Sequence, residues 1–473
     1  MENLNYKHFT MKRKHFLKSV IGASAFLGIP FNSFSSDRTS VQELIDNTQK
    51  DVDGSMFGFA DSPIKKVRVG IIGLGNRGNT LLEMFQYLVE NNHAEIVALS
   101  DITEKKVNSA SEKLAVWQKK KAKLYYKSQN DWKQLCLRDD IDLVIIATPW
   151  DLHTPMAVYA MENGKHVGSE VPVASSIEDC WSLIQTAERT KKHCMMMENC
   201  NYNEEELWAL NMIQEGVFGD ITHTEGAYLH DLRALLLHDT YYEGQWRLHE
   251  HVERDGNFYT THGLGPISFY LNIGRGDTFS HLTSMSSREL NLSIAAKQAG
   301  HPIQNYKCGD MNNTMIRTEK GKTILLQFDV HTGRPYSRIN KIVGTKAVHV
   351  GYPSRLYIEG EKPEYWGHNW LKKKEHNEYR SKYQHPIISK LKTVSQGFKQ
   401  GHGGMDFVMI YRLVRCLNLG LPLDINLYDS ILWSSITPLS ELSVATNSQS
   451  IKIPDFTAGT WKKENPLEIM REI

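Results

Sequence analysis

This sequence lacks an excess of charge of either sign: 55 Lys and Arg stand against 54 Asp and Glu in 473 residues, a formal net charge of +1. That balance argues against nucleic acid or an acidic surface as a partner. Cysteines at metal or redox spacing are missing too. Cys136, Cys180, Cys194, Cys200, Cys308 and Cys416 form no C-x-x-C, and most read as buried thiols. The mostly apolar run 19–31 is too short to cross a bilayer. What remains is the profile of a globular chain, 41% hydrophobic and 10% aromatic, whose length suggests two domains.

The first 36 residues stand apart. Lys7, Lys12, Arg13, Lys14 and Lys18 face Glu2 alone, and the basic segment 11–18 leads into the apolar run. This is the shape of an export signal. Arg13-Lys14-His15-Phe16-Leu17-Lys18 resembles a twin-arginine signal with Lys for the second Arg, which implies a periplasmic destination. No Cys follows the run, which argues against a lipid anchor. Residues 37–63 are polar with few periodic apolar positions and read as a linker.

Residues 66–78, Lys-Val-Arg-Val-Gly-Ile-Ile-Gly-Leu-Gly-Asn-Arg-Gly, read as a buried strand running into a G-x-G-x-x-G turn. Gly73 allows the tight turn, Gly75 lets a pyrophosphate approach the backbone, and Gly78 lets the next helix pack close. An amphipathic helix over 79–91 and a strand over 95–99 follow, ending at Asp101. An acid at that distance from the glycines is placed to bind a ribose 2′-hydroxyl and to repel a 2′-phosphate. NAD is therefore the expected cofactor.

Helices are expected over 103–123, 132–137, 154–163 and 176–190, with strands over 141–147, 165–172 and 193–197. The alternation implies an α/β Rossmann domain, a doubly wound parallel sheet, over 64–200. Strand ends in such sheets face the ligand crevice. Trp150 and His153 follow one of them. They serve either as walls for the nicotinamide half or as packing, with His153 as a cap for the next helix.

Ala147-Thr148-Pro149-x-x-x-His153 and Gly168-Ser169-Glu170-Val171-Pro172 resemble the strand ends of the glucose-fructose oxidoreductase / inositol dehydrogenase / MocA family. Members usually carry Glu-Lys-Pro at the second place, where the Lys serves hydride and proton chemistry. Val171 can neither relay a proton nor hold a sugar hydroxyl. With that departure the chain resembles one branch, glycoside hydrolase family 109, the NAD-dependent α-N-acetylgalactosaminidases, over residues 65–460. The resemblance implies NAD contacts at Asn76, Arg77, Trp150, His153, Glu170, Val171 and Asn199, beside Gly73, Gly75, Gly78 and Asp101. It implies sugar contacts at Tyr228, Arg247, Tyr259, Thr260, Thr261, His262 and Tyr336. The branch usually has Pro where Thr260 stands.

Residues 201–473 read as a substrate-binding α+β domain with C-terminal helices packing back. Strands over 222–228, 279–286, 314–318, 323–330 and 340–350 imply a large mixed or antiparallel sheet. Segment 231–256 holds His238, Tyr241, Tyr242, Trp246, Arg247, His249 and His251. Such aromatic segments stack on sugars or act as lids. His249-x-His251 offers a close pair without a third ligand at standard spacing, so no metal is expected. Tyr259-x-x-His262 starts a helix over 263–272, and the three-residue spacing lets both side chains face one site. Asp406 reads as a helix cap rather than a site residue.

Ordinary glycosidases use two carboxylates, and no such pair is placed here by motif. A redox-neutral route accounts for both that gap and the NAD site. Hydride leaves C3 of the sugar, the C2 proton becomes acidic, the glycosidic oxygen leaves by elimination, water adds, and hydride returns. His262 is expected to take the 3-hydroxyl proton. Tyr259 is expected to take the C2 proton, through a phenol pKa lowered by nearby cationic charge; the same two residues with the proton roles exchanged are the alternative. The expected substrate is a small molecule or glycan with a terminal α-linked N-acetylhexosamine. No nucleic acid and no membrane span are expected, and a homo-oligomer stays open. The alternatives are a net NAD-dependent sugar dehydrogenase, disfavoured by the missing Lys, and a non-catalytic sugar- or NAD-binding protein.

Overall fold

The computed structural model describes residues 38–302, 304–360 and 368–463. The expected export signal, residues 1–36, lies outside them. Among the described residues no helix is long and apolar enough to cross a membrane.

The first sheet is built from β1 (Val67–Ile72), β2 (Ala94–Ser100), β3 (Lys123–Tyr125), β4 (Leu143–Ile146), β5 (His166–Ser169) and β6 (Cys194–Met196). They run parallel in the order β3-β2-β1-β4-β5-β6. β4 is Leu-Val-Ile-Ile, buried at every position. A strand apolar on both sides needs cover on both faces, which crossover helices supply. The chain builds outward from β1 to β3, then returns to β4 on the other side. The reversal between β1 and β4 opens a crevice at the strands' carboxyl ends.

Three helix expectations change. The helix expected over 154–163 begins at Trp150, so His153 lies inside it instead of capping it. The helix expected over 79–91 forms as Asn76–Met84 and Gln86–Glu90, parted at Phe85. The helix expected over 103–123 stops at Trp117. There Gln118 turns inward, accepting from the Ile96 amide and donating to its carbonyl, both at 2.9 Å. It stands in for a strand residue, and the chain goes on into β3, which is too short to show alternation.

The second sheet has eight strands: β7 (Ile221–Leu229), β8 (Phe279–Ser286), β9 (Asn312–Thr318), β10 (Thr323–Asp329), β11 (Lys341–Gly344), β12 (Ala347–Gly351), β13 (Ser354–Ile358) and β14 (Ile451–Lys452). Their order is β13-β12-β11-β7-β10-β9-β8-β14. The sheet is mixed, because β7 and β10 pair in parallel while the other pairs are antiparallel. The single strand expected over 340–350 is the hairpin β11–β12, folded at Thr345-Lys346.

Residues 38–63 are not a free linker. Arg38–Asp46 is a helix with Val41 and Ile45 buried, Phe57 stacks on Tyr428 at 4.3 Å, and the Glu188 carboxylate accepts from the amides of Asp53 and Gly54. These partners are distant in sequence, so no local periodicity announces them.

The C-terminal helices Met405–Leu419 and Leu427–Ala445 tie the two sheets together. The second packs on helix Ile177–Thr190 of the first domain and on β8 of the second. Buried ion pairs hold it. Arg275 Nη1 and Nη2 donate to Asp429 at 2.7 and 2.6 Å, and Arg254 pairs with Glu441. Removing one partner strands a buried charge. Asp429→Ala is expected to cost about 3–5 kcal/mol, read as a lowered urea midpoint; an unchanged midpoint would mean Arg275 finds another partner.

Candidate cofactor and sugar site

Gly73 has φ +88°, and a Cβ there would lie 2.5 Å from the Ala147 carbonyl oxygen. At Gly78 a Cβ would fall 1.8 Å from the Gly73 carbonyl oxygen, so the helix can close on the turn only at a glycine. Gly75 is different: space for a Cβ is open. Gly75 also caps the helix without a side chain, which leaves the first helical amides turned toward the crevice. Asp101 accepts from Leu74 N at 2.8 Å and from Thr103 N at 2.9 Å. It braces the turn and, as a carboxylate, keeps lone pairs for a ribose hydroxyl. Together these features fit NAD: a tight turn, bare amides at a helix end, and an acid that disfavours a 2′-phosphate.

Other expected cofactor contacts are engaged elsewhere. His153 is buried, with Nδ1 2.7 Å from the Pro172 carbonyl and Nε2 2.8 Å from that of Thr148. It pins two strand-end turns instead of facing a ligand. Burial lowers its pKa. Arg77, Glu170 and Asn199 meet in one buried knot. Arg77 Nε donates to Glu170 at 2.8 Å, its Nη1 and Nη2 to Asp406, and Asn199 Nδ2 donates to Asp406 at 2.7 Å. Asp406 therefore does not cap its own helix, whose cap position is Gly404 with no side-chain bond. Burial raises the Glu170 pKa, with Arg77 opposing. Asn76 remains exposed at the first residue of the glycine-turn helix, and Val171 is buried at the end of the β5 segment.

The expected sugar contacts converge. A Cβ at Gly226 would lie 2.8 Å from the Gly263 carbonyl oxygen, and one at Gly263 2.5 Å from Ala227 N. Glycine at both places lets helix Thr261–Leu271 lie directly on β7. That contact sets Tyr228 of β7 beside the helix start. Its ring centroid is 4.4 Å from Tyr259 and 5.4 Å from His262, and Tyr259 is 4.7 Å from His262, edge to face. Trp150 joins from the first domain at 6.1 Å from Tyr259, with Trp246 5.2 Å beyond it. Tyr336 closes another side, 6.1 Å from Tyr228.

Arg247 sits among these rings. Its Cζ is 4.9 Å from the Tyr259 centroid, 5.1 Å from Trp150 and 5.2 Å from Tyr242, and its Nη1 donates to the Tyr242 hydroxyl at 3.0 Å. Its Nε is buried with no hydrogen-bond partner among the described residues, a donor ready for a ligand. The charge does not bring the Tyr259 phenol down. Burial pushes its pKa well above the ordinary value, and Arg247 offsets only part of that. Burial likewise pushes Tyr228 up to about 12. The expectation of a lowered phenol pKa is thus reversed, because desolvation outweighs one cation shared among several rings.

His262 has a partner absent from the sequence reading. Its Nδ1 lies 2.9 Å from Oε2 and 2.8 Å from Oε1 of Glu198, which is fully buried. Burial opposes ionisation of Glu198, yet His262, Thr261 and the Cys200 amide hold its pKa below the ordinary value. With Nδ1–H donated to this carboxylate, Nε2 carries the free lone pair. Glu198 ends the β6 segment at the crevice, so its place at a strand's carboxyl end was the available signal. Thr261 serves Glu198. Thr260 does not face the cage: its hydroxyl donates to the Trp433 carbonyl at 2.9 Å, in the core. A motif gives adjacency in sequence, but successive helical residues point about 100° apart.

His249 and His251 also diverge, one exposed and one buried. His251 meets His331 instead, at 3.0 Å, with Cys308 nearby.

Fold and site together define a Rossmann-type nucleotide protein whose second domain presents an aromatic, histidine-bearing cage to the cofactor crevice. Residues 67–198 match the model of the oxidoreductase family with an NAD-binding Rossmann fold, and residues 202–463 match the C-terminal domain of glycosyl hydrolase 109. The chain is 42% identical over 467 residues to a glycosyl hydrolase family 109 protein of Shewanella sp. strain MR-4, covering 97% of this chain and 98% of that one. It is 42% identical over 463 residues to an α-N-acetylgalactosaminidase of Shewanella oneidensis, with the same coverages. The fold matches a levoglucosan dehydrogenase in complex with NADH and levoglucosan, with TM-score 0.62 at 19% identity over 82% of this chain and all of that one. The chain belongs to glycosyl hydrolase family 109, and its first domain is an NAD-binding Rossmann domain.

Proposed function

We propose that this protein hydrolyses terminal α-linked N-acetylgalactosaminides with NAD as a resident catalyst. The observation that carries the reading is the meeting of the His262–Glu198 pair with the Trp150, Tyr228 and Tyr259 rings at the mouth of the nucleotide crevice. Bound NAD supplies reversible hydride exchange with the sugar, so that oxidation before bond cleavage is undone after it. The chain's own residues do the rest. Aromatic faces take the apolar faces of a sugar and exclude water. Arg247 offers Nε to a sugar oxygen. His262 Nε2 accepts the hydroxyl proton released on oxidation and returns it on reduction, while Glu198 stabilises the imidazolium. Tyr259, protonated at rest, gives its phenolic proton to the departing glycosidic oxygen, and the phenolate beside Arg247 takes the C2 proton in exchange; on water addition the phenol protonates C2 and recovers a proton from the water. Overall the glycosidic bond breaks and water supplies the new hydroxyl and proton. Apolar Val171, in place of a proton-relaying Lys, disfavours a net dehydrogenase. The basic and apolar segments within residues 11–31 support export.

The test is an aryl α-N-acetylgalactosaminide incubated with purified protein in D2O. Expected are aglycone release, deuterium at C2 and no accumulating NADH. NADH rising without aglycone would replace this reading with the sugar dehydrogenase.

A further inference from the structure

Arg77 is the second residue of the glycine-turn helix, at the helix end where a pyrophosphate docks. A guanidinium there is placed to pair with phosphate, yet its donors are taken up by two carboxylates of the protein. Nε goes to Glu170 at 2.8 Å, and Nη1 and Nη2 go to Asp406 at 2.6 and 2.9 Å. Asp406 comes from the far end of the chain, 329 residues on, and its side chain is fully buried. The same carboxylate accepts from Asn199 Nδ2 and from His402 Nδ1, each at 2.7 Å. Burial opposes its ionisation, but Arg77 and His402 outweigh that and hold it below the usual carboxylate range.

Each partner sits on a different wall of the crevice. Arg77 belongs to the glycine turn, Glu170 follows β5, and Asn199 follows β6. One carboxylate from the C-terminal segment therefore holds the first and third directly and the second through Arg77. The packing around it is continuous. Phe407, next to Asp406, stacks on Phe398 at 4.6 Å and meets Tyr87 edge-on at 5.8 Å. A Cβ at Gly401 would come within 2.6 Å of Met84 Sδ, so the turn before the Met405 helix lies directly on the glycine-turn helix. The cofactor's docking helix cannot shift without breaking this knot.

We propose that Asp406 is a positioning residue that keeps NAD bound between turnovers, by locking Arg77 and with it the glycine turn and the ends of the β5 and β6 segments. This rests on the redox-neutral reading above, in which the cofactor is never exchanged and slow release is an advantage. The Asp406 carboxylate bonds Arg77, Asn199 and His402, not His262 or Glu198, so its effect falls on retention of NAD.

The experiment compares the parent protein, Asp406→Asn and His402→Ala. NAD released on denaturation is measured per chain, NADH fluorescence is followed after dilution, and turnover is measured against added NAD. The parent should keep about one NAD per chain, whereas Asp406→Asn should keep less than about a tenth and release NADH at least about tenfold faster, because truncating a buried charged pair acts on the off-rate. Its turnover should return on saturation with NAD, with a raised KM for the cofactor. His402→Ala removes only the exposed partner and should move release the same way by less; it decides the matter if Asp406→Asn does not fold. Parent-like retention and release in Asp406→Asn, or a folded variant that excess NAD does not rescue, would overturn the proposal. A parent protein without NAD or affinity for it would overturn the NAD-dependent reading as well.

Discussion

Replacing His262 by Ala should lower turnover of an aryl α-N-acetylgalactosaminide by about 10³-fold, the middle of what general acid–base catalysis supplies. NAD should stay bound. Three observations place the effect on this side chain. His262 lies in the first turn of its helix, with 13% of the side chain exposed, so it reaches the crevice. Its Nδ1 is held by Glu198, which leaves Nε2 as the acceptor. The competing groups are disabled: burial keeps the Tyr259 phenol protonated, Glu170 is paired with Arg77, and Glu198 is sealed behind the imidazole. Turnover should fall with little change in KM, because the lost interaction belongs to the transition state. Parent-like turnover would move the base elsewhere, and loss of NAD together with activity would make His262 a cofactor residue.

Glu198→Gln should have the second-largest effect, a fall of about 10²–10³-fold in turnover. Gln is isosteric and its amide oxygen can still accept from Nδ1–H, so orientation is largely kept. What disappears is the negative charge that stabilises the imidazolium once Nε2 has taken a proton. The pH dependence of stability gives an independent reading, with a sign set by the depressed Glu198 pKa. The stabilisation is fully present above the unfolded carboxyl value of about 4.3 and is lost as pH falls through the lower folded value. The parent should therefore lose its advantage over Glu198→Gln in that acid window, measured by urea unfolding at stepped pH. A variant with parent-like turnover would reduce Glu198 to a cap for the short turn Asn199–Tyr202.

Much of the first domain was legible because its signals are local. A glycine turn after an apolar strand, and an acid at the end of the next, constrain backbone dihedrals and close approach within some 30 residues. The structure shows Gly73 and Gly78 in the geometry their roles require, a positive φ at the first and a close backbone approach at the second, while the space at Gly75 is open. Tyr259 and His262 were legible as a close pair, but not by the helical spacing expected: the helix begins at Thr261, and Tyr259 meets His262 from the loop before it. Side-chain partners were not. Arg77, Glu170 and Asn199 stand at the crevice as the resemblance implies, but they point into a carboxylate whose position in the chain carries no local mark. The Tyr259 pKa was misread for a related reason: the Arg247 charge is visible in the sequence, whereas the desolvation that outweighs it exists only once the cage closes.

The sequence by itself determined the Rossmann unit, the NAD cofactor and the family, and it singled out the two side chains of the proposed site, because each rests on short-range spacing or on residue types. Only the tertiary structure decided what those side chains can do. It put Glu198 behind His262, reversed the shift on Tyr259, turned Thr260 into the core, and brought Asp406 under the glycine turn. Such properties depend on burial and on contacts between residues far apart in the chain, and the free energy of a charge or a proton is set by those surroundings rather than by its neighbours in sequence.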